Sequence, residues 1–145
     1  PEPLNIDPDK AEITESTKFS TLEETVQHVN LPVIYLKDSG DLKLSSISAD
    51  VILDEKPVLS IIYCNSNDNI TILIYAHDST NAISSSFATN YRIVSSNVGD
   101  VFVCESEDGA NAYLFYDDYS IRINTSLDLS TFCTVLQSLA LFKIS

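Results

Sequence analysis

The sequence is poor in basic residues, glycine, cysteine and histidine, and it contains no methionine. Eight Lys and Arg stand against 21 Asp and Glu, a formal net charge of −13. A surface of that sign repels phosphate backbones, so neither nucleic acid nor an anionic membrane is an expected partner. It favours solubility, cationic partners and loosely held divalent ions, and a solvated acidic surface is the simplest account. Three glycines argue against a Gly-rich phosphate loop or a fibrous repeat. The three cysteines, Cys64, Cys104 and Cys133, lie far apart, with no C-x-x-C and no His at metal spacing. Neither a zinc site nor a disulfide framework is therefore expected. Cys64 and Cys104 can pair only if their strands are neighbours; otherwise all three serve as small buried hydrophobes. No apolar run approaches the ~20 residues that span a bilayer, and no signal-peptide pattern opens the chain. Since the chain begins at Pro1 and lacks Met, it is expected to derive from a longer precursor or a fragment, with any targeting segment removed.

What is present describes a globular domain. Hydrophobic residues make up 44% of 145 and charged residues 20%, enough to build one core. Residues 1–18 hold three prolines and several acids without apolar periodicity, which reads as a linker or stalk leading into one domain over 19–145. In 20–30, Ser20 with Glu23 and Thr21 with Glu24 both fit a capping box, and Leu22, Val26 and Val29 form one apolar helix face. His28 sits at the rim of that face. After Pro32 the period becomes two. Strands are expected at 33–36, 42–53 (with a bulge at Ser45–Ser46), 58–65, 70–77, 91–95, 101–105, 112–116 and 120–124. Turns fall at 37–41, 54–57, 66–69, 97–100, at Asp108-Gly109 and at 117–119. Residues 78–90 read as a polar connector, either a flexible loop or one holding a short helix near Ile83–Phe87. The last element, 127–142, carries Leu129, Phe132, Cys133, Leu136 and Leu139 or Ala140 at helical spacing, capped by Asp128 or Ser126. The expected fold is α+β: an antiparallel, meander-rich sheet of about seven or eight strands with an N-terminal and a C-terminal helix packed on it.

Candidate chemistry is thin. The loop Asn65–Asn69 resembles the first half of a calcium loop, but Ile70 replaces the required Gly and Ala76 the closing Glu, so a hairpin loop is expected. Glu105, Glu107, Asp108, Asp117 and Asp118 could gather carboxylates at one edge, yet turn tips rarely supply the cleft that acid/base chemistry needs. His77 beside Asp78 lacks a nucleophile elbow, and Cys133 lies on a buried helix stripe. Asn69-Ile-Thr71 and Asn124-Thr-Ser126 match the glycosylation sequon, relevant only in a eukaryotic secretory host. No catalytic residue, metal site or cofactor is expected. The remaining candidates are aromatic: Tyr91, Tyr113, Phe115, Tyr116 and Tyr119. Alternation puts Tyr113 and Phe115 on one sheet face and Leu114 and Tyr116 on the other. One face must be core. The other is either covered by a helix or is an exposed patch that implies a partner. The residues taken as a binding set are Tyr75, Tyr116, Tyr119 and Arg122.

Two segments, STLEETVQHVNLPVIYL and LFYDDYSIRINTSLDLSTFCTVLQSL, resemble an uncharacterised domain of Gram-positive bacteria. That domain forms the extracytoplasmic C-terminal part of membrane-anchored, anti-sigma-factor-like proteins. The likeness covers 19–142 loosely and 112–140 specifically, through Phe115, Asp117, Asp118, Tyr119, Ile121, Ile123, Ser126, Leu127, Leu136, Ser138 and Leu139. The chain departs from the pattern at Tyr35–Gly40, where the family has a Pro-rich turn, and at Phe115, where it has Trp. The resemblance implies an extracytoplasmic location, with a membrane reached only through an upstream anchor. It carries over no catalytic residue. The function expected is a non-enzymatic sensor or interaction domain that meets another protein or an envelope component. The alternatives are a small-ligand binding domain using an aromatic sheet face and, less favoured, a hydrolase built on the acidic edge.

Overall fold

The computed structural model describes residues 13–52, 57–76 and 91–143. Ten strands and two helices follow in the order β1 (Ile13–Phe19), α1 (Leu22–His28), β2 (Ile34–Leu36), β3 (Lys43–Ile52), β4 (Val58–Cys64), β5 (Asn69–Ala76), β6 (Arg92–Ser96), β7 (Gly99–Ser106), β8 (Gly109–Tyr116), β9 (Tyr119–Thr125), α2 (Leu129–Leu136) and β10 (Leu139–Leu141). Eight of the strands make one antiparallel sheet in the order β1-β3-β4-β5-β9-β8-β7-β6. The α+β class and the meander-rich sheet are as the sequence predicts.

The order follows from two meanders. β3, β4 and β5 step across the sheet by pairing with their chain neighbours. β6 then starts at the far edge, and β7, β8 and β9 step back until β9 meets β5. Turn chemistry explains the tight reversals. Ser96 pairs with Gly99, Ser106 with Gly109 and Tyr116 with Tyr119, so each hairpin closes over two residues. Asp117 takes φ 50°, a conformation that Asp tolerates better than most residues. The bulge expected at Ser45–Ser46 appears as a register shift between Leu44 and Ser46.

Three sequence expectations change. Residues 13–18, read as the end of a stalk, belong to β1, which pairs with β3 at the sheet edge. A strand there needs only alternate contacts with a neighbour, which the 3.6-residue periodicity test does not detect. Residues 33–36 supply a strand, but β2 stands outside the main sheet and pairs with β10 in a two-stranded ribbon. The C-terminal helix ends at Leu136, and Leu139–Leu141 are β10. Gln137 caps the helix, and Ser138 follows it. The single Ser138 hydroxyl proton is shared between the Val135 and Asp38 carbonyls, and its Oγ accepts the Asp38 N–H at 3.1 Å, which holds the chain beside β2. The connector 78–90, most of the 54–57 turn and residues 1–12 lie outside the described residues.

The core lies on one face of the sheet. Ile47, Leu59, Ile61, Ile70, Ile72, Ile74, Ala112, Leu114, Ile121 and Ile123 point to it in register. α2 crosses β6, β7 and β8 and buries Phe132 and Leu136 there. The β2–β10 ribbon covers the β4 side: the buried Leu36 N–H donates to the Tyr63 hydroxyl at 3.0 Å. α1 packs beside β1, with Thr21 as its N-cap accepting the Glu24 N–H at 3.0 Å. Glycine is indispensable at Gly109. It has φ 151°, and an added Cβ would collide with the Thr125 carbonyl oxygen and lie 2.8 Å from the Ser126 Cα.

Candidate functional site

Among the described residues, the second face of the sheet has no helix packed on it. Register places its side chains in rows. Leu73 lies opposite Arg122, Arg122 opposite Tyr113, Tyr113 opposite Phe102 and Phe102 opposite Ile93, one row across five strands. A second row runs Tyr75, Ser120, Phe115. The inner part is dense: Tyr75 and Tyr113 are 5% and 7% exposed, and the Arg122 guanidinium lies 5.5 Å from the Tyr113 ring centroid. That distance is within the range of a cation–π contact. The outer part is open. Ile93 is 55% exposed, Phe115 50% and Tyr91 46%, with Tyr91 edge-on to Phe102 at 5.4 Å between centroids. Burial raises the Tyr75 phenol pKa, and the Arg122 charge partly offsets that rise while Tyr113 adds to it.

The predicted binding set is divided by the sheet. Tyr75 and Arg122 lie on this second face. Tyr116 and Tyr119 lie on the core face, paired across the hairpin end and packed against the core. The Tyr119 hydroxyl reaches the Asn30 carbonyl at 3.4 Å, beyond the end of α1. Tyr116 follows Ala110, Ala112 and Leu114 in phase, and those residues are buried on the α2 side. Tyr113 and Phe115, the opposite phase, therefore face outward with Tyr75. Phe102, Ile93 and Leu73 belong to the same face and were not singled out from sequence. Each strand's alternation was readable, but which phase meets the helices depends on inter-strand register.

The remaining candidates resolve into structural roles. Cys64 on β4 and Cys104 on β7 are free thiols. Three strands separate theirs, about 19 Å at the usual strand spacing, so they cannot pair. Cys133 is half-buried on α2, and burial raises its thiol pKa despite nearby Arg92. The acidic tips do not meet: Glu107–Asp108 and Asp117–Asp118 cap opposite ends of β8, about 25 Å apart for its eight residues. The Asn65 side-chain oxygen accepts the Asn67 and Asp68 N–H groups, and the Asp68 carboxylate accepts from the Ser126 hydroxyl. These bonds close a hairpin loop rather than a cation cage. Among the described residues no three His, Cys, Asp or Glu side chains are grouped to hold a metal. His77 and Asp78 lie outside the described residues. A cleft of about 370 Å³ opens on the helix side, lined by Asp38, Gly40, Ser130, Thr131, Thr134 and Val135. It is remote from the aromatic rows and holds no nucleophile–base pair. No described helix is long and apolar enough to cross a membrane.

Comparison with protein-family models, with curated proteins and with solved structures found no significant match.

Proposed function

We propose that this chain is a non-enzymatic interaction domain working outside the cytoplasmic membrane, and that the sheet face away from α2 binds another protein or an envelope component. One observation carries the reading: the contiguous apolar band of Phe115, Tyr113, Phe102 and Ile93, open to solvent at Phe115 and Ile93. Side chains of this kind at adjacent register positions mark a surface that meets a partner. Arg122 lies at the inner border of the band and gives a partner's carboxylate a fixed donor beside the aromatic surface. The net charge of −13 adds an electrostatic preference for cationic partners around the band and disfavours nucleic acid. The extracytoplasmic location rests on the likeness of residues 112–140 to the Gram-positive domain.

The test is site-specific photo-crosslinking in the source cells. A photoreactive side chain at position 115 is expected to give a discrete adduct. The same probe at Leu44, which lies opposite Tyr63 on the core side and is 40% exposed, is expected to give none. Equal adducts from both positions, or none from position 115, would remove the interaction reading. Intact cells treated with a membrane-impermeant amine reagent should label the chain; labelling only after lysis would remove the location.

A further inference from the structure

Aspartates differ in how well their surroundings protect the peptide bond that follows them. The amide nitrogen of the next residue can attack the aspartate side-chain carboxyl carbon. Glycine at that next position hinders the attack least, because it has no Cβ and its backbone moves most freely. Asp108 is the one aspartate in the chain followed by glycine, and no asparagine is. Other carboxylates are tied down. Those of Asp50 and Asp68 accept from the Ser16 and Ser126 hydroxyls, and that of Asp128 accepts the Thr131 N–H. Asp108 is exposed at the tip of the β7–β8 hairpin, and among the described residues no hydrogen bond or ion pair holds its carboxylate.

The fold sets both the rate of such an attack and its consequence. Ser106 pairs with Gly109, and Glu105 with Ala110. A hairpin that closes over two residues joins its last pair through their own N–H and C=O groups, so the Gly109 N–H is turned to the Ser106 carbonyl while the hairpin is closed. The nitrogen is withheld from the Asp108 carboxyl until that corner opens. Exposed hairpin ends open far more often than the sheet behind them. Gly109 also has little room on the β9 side, where an added Cβ would lie 2.8 Å from the Ser126 Cα. Thr125 and Ser126 are bonded in turn to Asn69.

We propose that Asp108–Gly109 is a spontaneous modification site, at which aspartate isomerises to isoaspartate, and that the product unlocks the corner where β8 meets the end of β9. In the open hairpin the Gly109 nitrogen attacks the protonated Asp108 carboxyl carbon. The new N–Cγ bond closes a five-membered succinimide ring. The carboxyl C–OH bond breaks, and its hydroxyl leaves as water with the Gly109 amide proton. Water then adds back to one of the two ring carbonyls. Breaking the N–Cγ bond restores aspartate. Breaking the bond from nitrogen to the backbone carbonyl carbon leaves Gly109 attached through Cγ, with the α-carboxylate set free. The product has the same atoms as aspartate, but its main chain is longer by one carbon. Gly109 lacks the space beside Ser126 to absorb that carbon, so its pairing with Ser106 and the neighbouring Asn69–Ser126 bonds are lost. This chemistry is independent of what the sheet face binds.

Prolonged incubation of the whole chain at neutral pH, folded and in urea, tests this, with peptide mapping and an isoaspartyl methyltransferase as the probe. Isoaspartate is expected at position 108 in both samples, forming about tenfold or more slowly in the folded chain. Asp108→Asn reaches the same ring by loss of ammonia and should give isoaspartate faster. Asp108→Glu, whose ring would have six members, should stay unmodified. Both exposed substitutions should leave the far-UV circular dichroism unchanged. In the isoaspartate form of the folded chain, hydrogen exchange at the Asn69 and Ser126 amides should quicken by about tenfold or more. A folded chain that stays unmodified while the unfolded chain converts, equal rates in both, or isoaspartate with those two amides still protected would each overturn the proposal.

Discussion

Alanine at Gly109 should cost far more than alanine at Gly40, although both glycines have positive φ. At Gly40 φ is 65° and an added Cβ meets nothing within 4 Å. The cost there is the left-handed backbone alone, about 1 kcal/mol. At Gly109 φ is 151° and the Cβ would strike the Thr125 carbonyl oxygen and the Ser126 Cα. Those atoms cannot retreat cheaply. Thr125 Oγ1 donates to the Asn69 carbonyl at 2.8 Å, the Ser126 N–H donates to the same oxygen at 3.2 Å, and the Asn69 N–H donates to Ser126 Oγ at 3.0 Å. Backbone strain of about 1–3 kcal/mol, with one or two of these bonds displaced at about 1 kcal/mol each, gives a loss of about 2–5 kcal/mol. For a domain of this size that lowers Tm by on the order of 10 °C. Urea unfolding of Gly109→Ala, Gly40→Ala and the wild-type chain measures it, with the m-value expected to stay constant. If Gly109→Ala loses no more stability than Gly40→Ala, the close approach of β8 to the end of β9 is wrong.

Three further outcomes are expected. Phe132→Ala empties a fully buried site on α2 and should cost about 3–5 kcal/mol in urea unfolding; a cost under about 1 kcal/mol would mean that α2 does not seal the sheet. Tyr63→Phe leaves the buried Leu36 N–H without its acceptor and should cost about 1–3 kcal/mol. Burial, against the lowering effect of the Leu36 N–H, raises the Tyr63 pKa above 10.0, with Tyr35 adding to the rise. The folded state therefore holds that proton longer, so its stability is complete below pH 10.0 and is lost as pH rises through the raised folded value. Tyrosinate absorbance followed alongside unfolding checks this, and the alkaline loss should shrink in Tyr63→Phe. The Thr131 side-chain and backbone hydrogen bonds lower the Asp128 pKa below 3.8, so its contribution is present above that pH and fades as pH falls through the lowered value. Asp128→Asn keeps a capping side chain without the charge, and circular dichroism of the two chains on acidification should diverge; identical acid limbs would sink the assignment.

Most individual strands were legible because their signals are local. The alternation of β4 and β5, the bulge after Leu44, the Thr21 and Asp128 caps (each one of two candidates) and the presence of tight turns near Asp108 and at 117–119 all follow from side-chain type and spacing. The candidate residues fall on both faces of the sheet. Tyr75 and Arg122 lie on the face away from α2. Tyr116 and Tyr119 do not, because β8 turns Ala112 and Leu114 toward α2 and carries Tyr116 with them. Asp108-Gly109 was read as a turn, but the turn is Glu107–Asp108, and Gly109 is required by the backbone of Thr125 beside it.

By itself, then, the sequence determined the α+β class, the antiparallel hairpins, the helix starts and the acidic surface. Each depends on residues within a few positions of one another. Only the tertiary structure decided that β1 joins the sheet, that Leu139–Leu141 leave the helical pattern to pair with β2, and which aromatic phase faces away from the helices. Those outcomes depend on which distant strand lies alongside, and a period of two or of 3.6 residues is blind to that choice.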